Sequence, residues 1–412
     1  MTASSHPVSG DPPVFPVLEE HTRDRIHALA RARWPAGEIV VGALLSSVTN
    51  FVVPVSVHDE HGMARQVAKY PILGTSLVSL TNATRGSAEQ LLAAQARYTA
   101  RPDAAARVEA THLDLLRHHA AQPDRAITVP EVLACDGGVL ITSAAGGGSV
   151  AKALLNHDPA TLESVTAAMQ HAASLAADPA LRDALAATAG RRSNTITATL
   201  ARKFGGAYAE RYLAGLGTGW SDEADRVPLV REFARVVAAV RLAAPPAAPV
   251  GHVVFGDLKP EHILIDEHTR RQVWLDPCLH LGELAEDAAK LASRLALHAG
   301  LLSRTPHPDL PRILHTVVES AVEAYPPKWR RQARARLAVW WLGDVLNVLS
   351  TALSVPPDTP VPVPALTPTA ARHAPSLLAW VARMLDAVAD DPAGATDTLV
   401  STAATLMPGQ RR

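Results

Sequence analysis

The run from Val253 to Asp266, Val-Val-Phe-Gly-Asp-Leu-Lys-Pro-Glu-His-Ile-Leu-Ile-Asp, is the part of the chain best equipped for chemistry. A short β-branched stretch leads into a tight loop, and a second apolar stretch opens at Ile263. The loop gathers Asp257, Lys259 and His262 on one irregular surface. After the turn residues Glu267 to Arg270, a third run from Gln272 to Leu275 returns to the same end and delivers Asp276. Two carboxylates at neighbouring strand ends suit phosphoryl transfer. One accepts the proton of an attacking hydroxyl, and the other holds magnesium on the phosphates of a nucleotide.

Such a pair needs other elements to hold a triphosphate over it. From Glu38 the pattern is strand-like: Ile39 to Val41, then Phe51 to Val57, then Ala64 to Tyr70, with a turn at Asp59 to Gly62. Helical periodicity follows from Ser87 to about His119. Two further strands, Val129 to Ala134 and Gly138 to Thr142, are joined by Asp136-Gly137, a hairpin signal. Beyond Gly146-Gly147-Gly148 nearly everything is Ala- and Leu-rich with helical spacing, apart from the segment that carries the two aspartates. A Pro-rich stretch from Val355 to Pro375 reads as a surface loop before a final helix. The expected class is α+β: a flexible tail over residues 1–25, a small antiparallel β-rich lobe with one helix over 26–143, and a large helical lobe over 144–412. The loop 253–276 would then face a pocket for the phosphoryl acceptor.

In that setting Gly256-Asp257-Leu258-Lys259-Pro260-Glu261-His262-Ile263-Leu264 resembles the catalytic loop of the aminoglycoside phosphotransferase-like kinases, a small-molecule branch of the protein-kinase-like fold. Trp274-Leu275-Asp276-Pro277 is similar to the magnesium-binding segment that follows, and Glu286 to Leu291 to the next helix, which opens with a structural aspartate. The resemblance implies a two-lobed ATP- and Mg2+-binding fold with Asp257 as catalytic base and Asp276 as metal ligand. Ser47-Val48-Thr49-Asn50-Phe51 resembles the phosphate-covering loop, where Thr49 and Asn50 would cap phosphate oxygens. Val67-Ala68-Lys69 resembles the strand lysine that meets the α- and β-phosphates. Glu109 is the candidate for its ion-pair partner, with Glu89 on the same helical stretch as competitor. Ser143 to Ala145 would be the hinge beside adenine. Lys259 resembles a loop lysine that meets the transferred phosphate in serine/threonine protein kinases. Two positions depart from the pattern: Phe255 stands where the family has His, and His262 where it has Asn, a second magnesium ligand. Magnesium prefers oxygen to imidazole, so His262 is either a metal contact or a group that positions Asp257.

Composition narrows the rest. Hydrophobic residues make up 48% and charged residues 19%, a globular composition. The 39 basic against 40 acidic side chains give a formal charge of -1, without the basic excess of nucleic-acid or membrane-surface binders. Two cysteines, Cys135 and Cys278, form neither a disulfide framework nor a metal spacing. No signal-like apolar run opens the chain, and Leu337 to Val355, broken by Asp344 and Asn347, reads as a buried helix rather than a membrane span. A cytoplasmic protein is expected. Its acceptor is expected to be a small hydroxyl compound, an antibiotic or a sugar-like metabolite. The alternatives are a kinase of Ser or Thr in a peptide undergoing maturation, and a nucleotide- or partner-binding relative without turnover, for which Phe255 and His262 are the motive.

Overall fold

Apolar side chains alternate along Asn50–Asp59, burying Phe51, Val53, Val55 and Val57 on one face, the period-2 signature of a strand with one face in a core. In the computed structural model, which describes residues 14–74, 87–121, 127–188, 195–205, 209–219, 222–243, 251–355, 362–403 and 406, this strand is β2. It pairs with β1 (Glu38–Val41) and with β3 (Gly62–Pro71) through the two-residue turn Glu60-His61. The hairpin β5 (Val132–Asp136) and β6 (Val139–Ser143) completes an antiparallel sheet of order β1-β2-β3-β6-β5.

The sheet is covered on both sides. Helix α1 (Val14–Arg33) buries Phe15, Leu18, Ile26 and Ala30 against the face that carries Ala68 and Tyr70. The expected tail therefore does not extend to residue 25. Residues 14–25 are the first turns of α1, and residues 1–13 lie outside the described residues. Pro16 obscured the helix in the sequence, although proline is tolerated in a first turn, where the backbone N–H has no helical partner. Helix α2 (Ala88–Thr99) adds Leu91 to the same core as α1, whereas the opposite face receives α3 (Ala105–Ala120), with Ala106, Ala110 and Leu113 packed on Leu140. The single helical stretch expected from Ser87 to His119 is thus two helices. Pro102, in the break between them, lacks the N–H a continuous helix would use.

The second lobe begins at β7 (Gly148–Ser149) and is built from helices α4 (Val150–Leu155), α5 (Ala160–Ala176), α6 (Pro179–Ala187), α7 (Ile196–Phe204), α8 (Ala209–Gly215) and α9 (Glu223–Ala243). Then come β8 (His252–Val254), a 3-10 turn Pro260–His262, β9 (Ile263–Ile265), β10 (Gln272–Trp274) and β11 (His280–Gly282). Helices α10 (Leu284–Leu301), α11 (Leu310–Glu323), α12 (Pro327–Ser354), α13 (Leu366–Arg372), α14 (Ala374–Asp390) and α15 (Ala395–Ala403) follow. The two-residue strand β4 (Ile127–Thr128) leaves the first lobe's sheet and pairs in parallel with β10. The expected strand over 129–134 is therefore displaced into β4 and β5. Within the Pro-rich stretch, residues 356–361 lie outside the described residues and α13 occupies part of the second half, and two helices, α14 and α15, follow it rather than one.

Helices α10 and α12 form the centre of the second lobe. Pro327–Ser354 is long and apolar enough to cross a membrane, but its most apolar window is 89% buried within the protein. It carries Arg336, fully buried and 2.7 Å from Glu283 at the start of α10. Tyr325 Oη donates to the same carboxylate at 3.3 Å. Removing one member of such a pair leaves a buried charge without its counterion. Arg336→Met is expected to lower the unfolding free energy by about 3–5 kcal/mol in a urea titration. Adding Glu283→Gln to that variant is expected to restore part of the loss.

Candidate active site

The loop after β8 is fixed by what Phe255, Gly256 and Asp287 do together. Gly256 has a φ of +81°, and a Cβ there would stand 2.2 Å from the carbonyl oxygen of Cys278. Only glycine fits. The N–H groups of Phe255 and Gly256 donate to the Asp287 carboxylate at 2.7 and 2.8 Å, so the first turn of α10 pins the loop. Burial pushes Asp287 up to about 6, against the pull of those two hydrogen bonds. Phe255 is buried edge-on against Trp274, ring centroids 5.0 Å apart. An aromatic ring fills this position by packing.

The loop brings Asp257 into a set of cations. Its carboxylate meets Lys259 Nζ at 2.7 Å and Lys290 Nζ at 3.0 Å, and Lys290 also donates to the Gly256 carbonyl at 2.6 Å. Burial alone would raise the Asp257 pKa, but the ammonium groups of Lys259 and Lys290 hold it well below the usual carboxylate range. Lys290 was missed in the sequence. The signal was there, because Asp287, Lys290, Arg294 and His298 recur at helical spacing and put basic groups on one face of α10.

Asp276 arrives from β10 in a left-handed conformation, φ +56°, which few non-glycine residues adopt. The N–H of Leu275 donates to the His262 carbonyl at 2.9 Å and ties this strand end to the first loop. Asp276 is ion-paired with Lys69, which also contacts Glu109 at 2.5 Å. Register explains that trio. Lys69 lies opposite Leu140 on the sheet face that α3 covers, and Glu109 projects from α3 onto the same face. Burial would lower the Lys69 pKa, yet Asp276 and Glu109 together raise it. Burial likewise opposes ionisation of Asp276, but Lys69 and His262 draw it down to about 2. Glu89 is exposed on α2, so the choice between the two glutamates falls to Glu109.

His262 stands between the two aspartates. Nδ1 is 3.5 Å from Asp257 and Nε2 is 3.6 Å from Asp276. Burial and the neighbouring Lys259 lower its pKa, so the ring is neutral at pH 7. Among the described residues its buried Nδ1 has no hydrogen-bond partner. Ser47 to Thr49 line the cleft from above, with Ser47 Oγ accepting from the N–H of Thr49 and Asn50. The N–H of Ser47 donates to the Pro362 carbonyl at 3.1 Å, so the covering loop touches the second lobe. Thr49 lines the cleft, whereas Asn50 opens β2 opposite Pro71 and is absent from the lining. Ser143 and Ala145 line the hinge side. The cleft enclosed by these groups has a volume of about 2210 Å³.

No family model and no curated protein matches the chain. Solved structures do. An ethanolamine kinase from Plasmodium vivax is 10% identical, with 92% of this chain and 97% of that one covered at a TM-score of 0.49. A choline kinase from Cryptosporidium parvum is 11% identical, with 92% and 99% covered at 0.49. An aminoglycoside 2'-phosphotransferase-IIIa variant in complex with GDP is 13% identical, with 90% and 99% covered at 0.45. The chain is similar to these small-molecule kinases and phosphotransferases over nearly its whole length.

The residues fit a magnesium ion brought in on nucleotide phosphates. Among the described residues no group of three or more His, Cys, Asp or Glu could hold a metal by itself. Magnesium bound through one or two carboxylates, phosphates and water does not need one. Asp276 offers a carboxylate oxygen, and the neutral His262 ring lies beside it.

Proposed function

We propose that the protein is an ATP- and magnesium-dependent phosphotransferase that moves the γ-phosphoryl group to a hydroxyl of a small molecule. The observation that carries this reading is the convergence of Asp257, Asp276 and Lys69 from three separate chain segments into one cleft. When bound, magnesium would neutralise charge on the β- and γ-phosphates, with Asp276 as its protein ligand and His262 at its side. Lys69, steadied by Glu109, would turn from Asp276 to the phosphates, and Ser47 to Thr49 would cover them. Asp257 is held as an anion by Lys259 and Lys290, ready to orient the acceptor hydroxyl and take its proton. Lys259, at 2.7 Å from the base, would meet the transferred phosphate. Ser143 and Ala145 would flank adenine.

The reading without turnover drew on Phe255 and His262. Phe255 is a packing residue here, and His262 touches both carboxylates without displacing either. The test is ADP release from ATP across a broad panel of hydroxyl acceptors, with and without magnesium. Acceptor-stimulated release that stops when magnesium is chelated is the expected result. Release no faster than that of Asp257→Ala with every acceptor would count for binding without turnover.

A further inference from the structure

Lys203, in the last turn of α7, lines the same cleft but takes no part in the nucleotide chemistry. Its ammonium donates to Asn347 Oδ1 at 2.8 Å and to Ser350 Oγ and Thr351 Oγ1 at 3.0 Å each. All three acceptors are neutral, and the Tyr212 ring lies 5.8 Å from the ammonium. Among the described residues no carboxylate lies within ion-pair distance of it.

The carboxylates of the cleft are all committed elsewhere. Glu109 and Asp276 share Lys69, and Asp257 holds Lys259 and Lys290. Glu261 lies 4.0 Å from both Arg294 and His298, and Arg294 is further bound to the buried Asp344 at 2.8 Å. The wall around Lys203 is completed by Thr199, Tyr212, Asn347 and Thr351, which are hydroxyls and an amide. Among the described residues this wall offers an incoming cation no carboxylate, and an incoming anion a partly buried ammonium held only by neutral groups. An Asn347 amide whose oxygen accepts from Lys203 still has N–H donors to give.

We propose that the acceptor carries an oxyanion, a carboxylate or phosphate, that docks beside Lys203 on the cleft wall formed by α7 and α12. The inference rests on the phosphotransferase reading and adds the acceptor's charge to it. Its place follows from α12. Arg294, one turn along α10 from the Lys290 that touches Asp257, is anchored at Asp344, and Lys203 is anchored at Asn347, Ser350 and Thr351 on the next turns of the same helix. Asp344 to Thr351 spans about 10 Å of helix axis, so the oxyanion would sit roughly 10–15 Å from the reacting hydroxyl. The cleft has room for this. Its volume of about 2210 Å³ is roughly twice the upper end of ordinary small-ligand pockets, about 1,000 Å³.

The experiment compares ADP release with acceptors matched except in charge: lactose, lactosamine, lactobionate and a lactose phosphate, and acetylated Ser-Gly-Gly with a free or an amidated carboxyl. The carboxylate and phosphate arms separate the two sources of the oxyanion. Anionic members are expected to be preferred. Lys203→Met should raise their KM by about 10- to 100-fold while leaving neutral members within about threefold. Lys203→Arg should restore the preference and Lys203→Glu reverse it, which no misfolded variant would do. Preference for neutral or cationic members, or an unchanged KM in Lys203→Met, overturns the inference and leaves the phosphotransferase intact. Should no acceptor stimulate ADP release, the phosphotransferase reading itself fails, and calorimetric titration of the same compounds decides the inference. Binding of the anionic members that Lys203→Met abolishes supports it, and absence of such binding overturns it.

Discussion

Asp257→Asn is expected to lower magnesium-dependent phosphoryl transfer by about 10²–10⁴-fold, with nucleotide affinity changed by no more than about threefold. The loop that carries Asp257 is held by Gly256, by the Asp287 carboxylate and by the Lys290 bond to the Gly256 carbonyl. None of these contacts uses the Asp257 side chain. The asparagine amide fills the same space but cannot take up a proton, so the loss should appear in kcat. Steady-state kinetics with a saturating acceptor, beside a nucleotide titration, measures it. An equal loss in nucleotide affinity would mean that Asp257 holds the ligand and is not the base.

Asp276→Asn is expected to cost about 10²–10³-fold in kcat/KM, because one preorganised source of charge stabilisation is removed from the transferring phosphate. It should also raise the magnesium concentration needed for half-maximal rate. The substitution suits the backbone. Asp276 sits at φ +56°, and asparagine is among the few residues that tolerate the left-handed region. Fold and side-chain volume are preserved, so the loss reports on the carboxylate. Lys69, raised in pKa by its two carboxylates, keeps Glu109 as partner in the variant. A magnesium titration of activity in both proteins checks the prediction, and an unchanged magnesium midpoint would remove Asp276 from the metal's ligand set.

Much of this site was legible in the sequence, because the residues that make it are local and carry strong restrictions. Asp257, Lys259 and His262 share one short loop, and the turn that returns Asp276 is read from Glu267 to Arg270. The strand-borne Lys69 and the helix-borne Glu109 were found by order along the chain, and sheet register then brings them together. What could not be read was set by tertiary packing. Pro102 splits a helix whose apolar spacing continues on both sides of it, so spacing alone leaves Glu89 as a competitor to Glu109, and the exposure of Glu89 on α2 is what removes it. Pro16 hid α1, whose apolar side chains have meaning only against the sheet face that receives them. Two-residue strands such as β4 and β7 leave no periodicity to detect. The cation set of α10 and the Lys203 wall depend on which faces of α7, α10 and α12 meet, and helical spacing alone does not choose the partner.

The most direct measurement is a crystal structure with magnesium and a non-hydrolysable ATP analogue. The analogue's γ-phosphate is expected to face Asp257, with a magnesium ion about 2.0–2.1 Å from an Asp276 oxygen, Lys69 on the α- and β-phosphates, and adenine beside Ser143 to Ala145. A nucleotide lodged elsewhere in the cleft, or a metal bound without Asp276, would contradict the account.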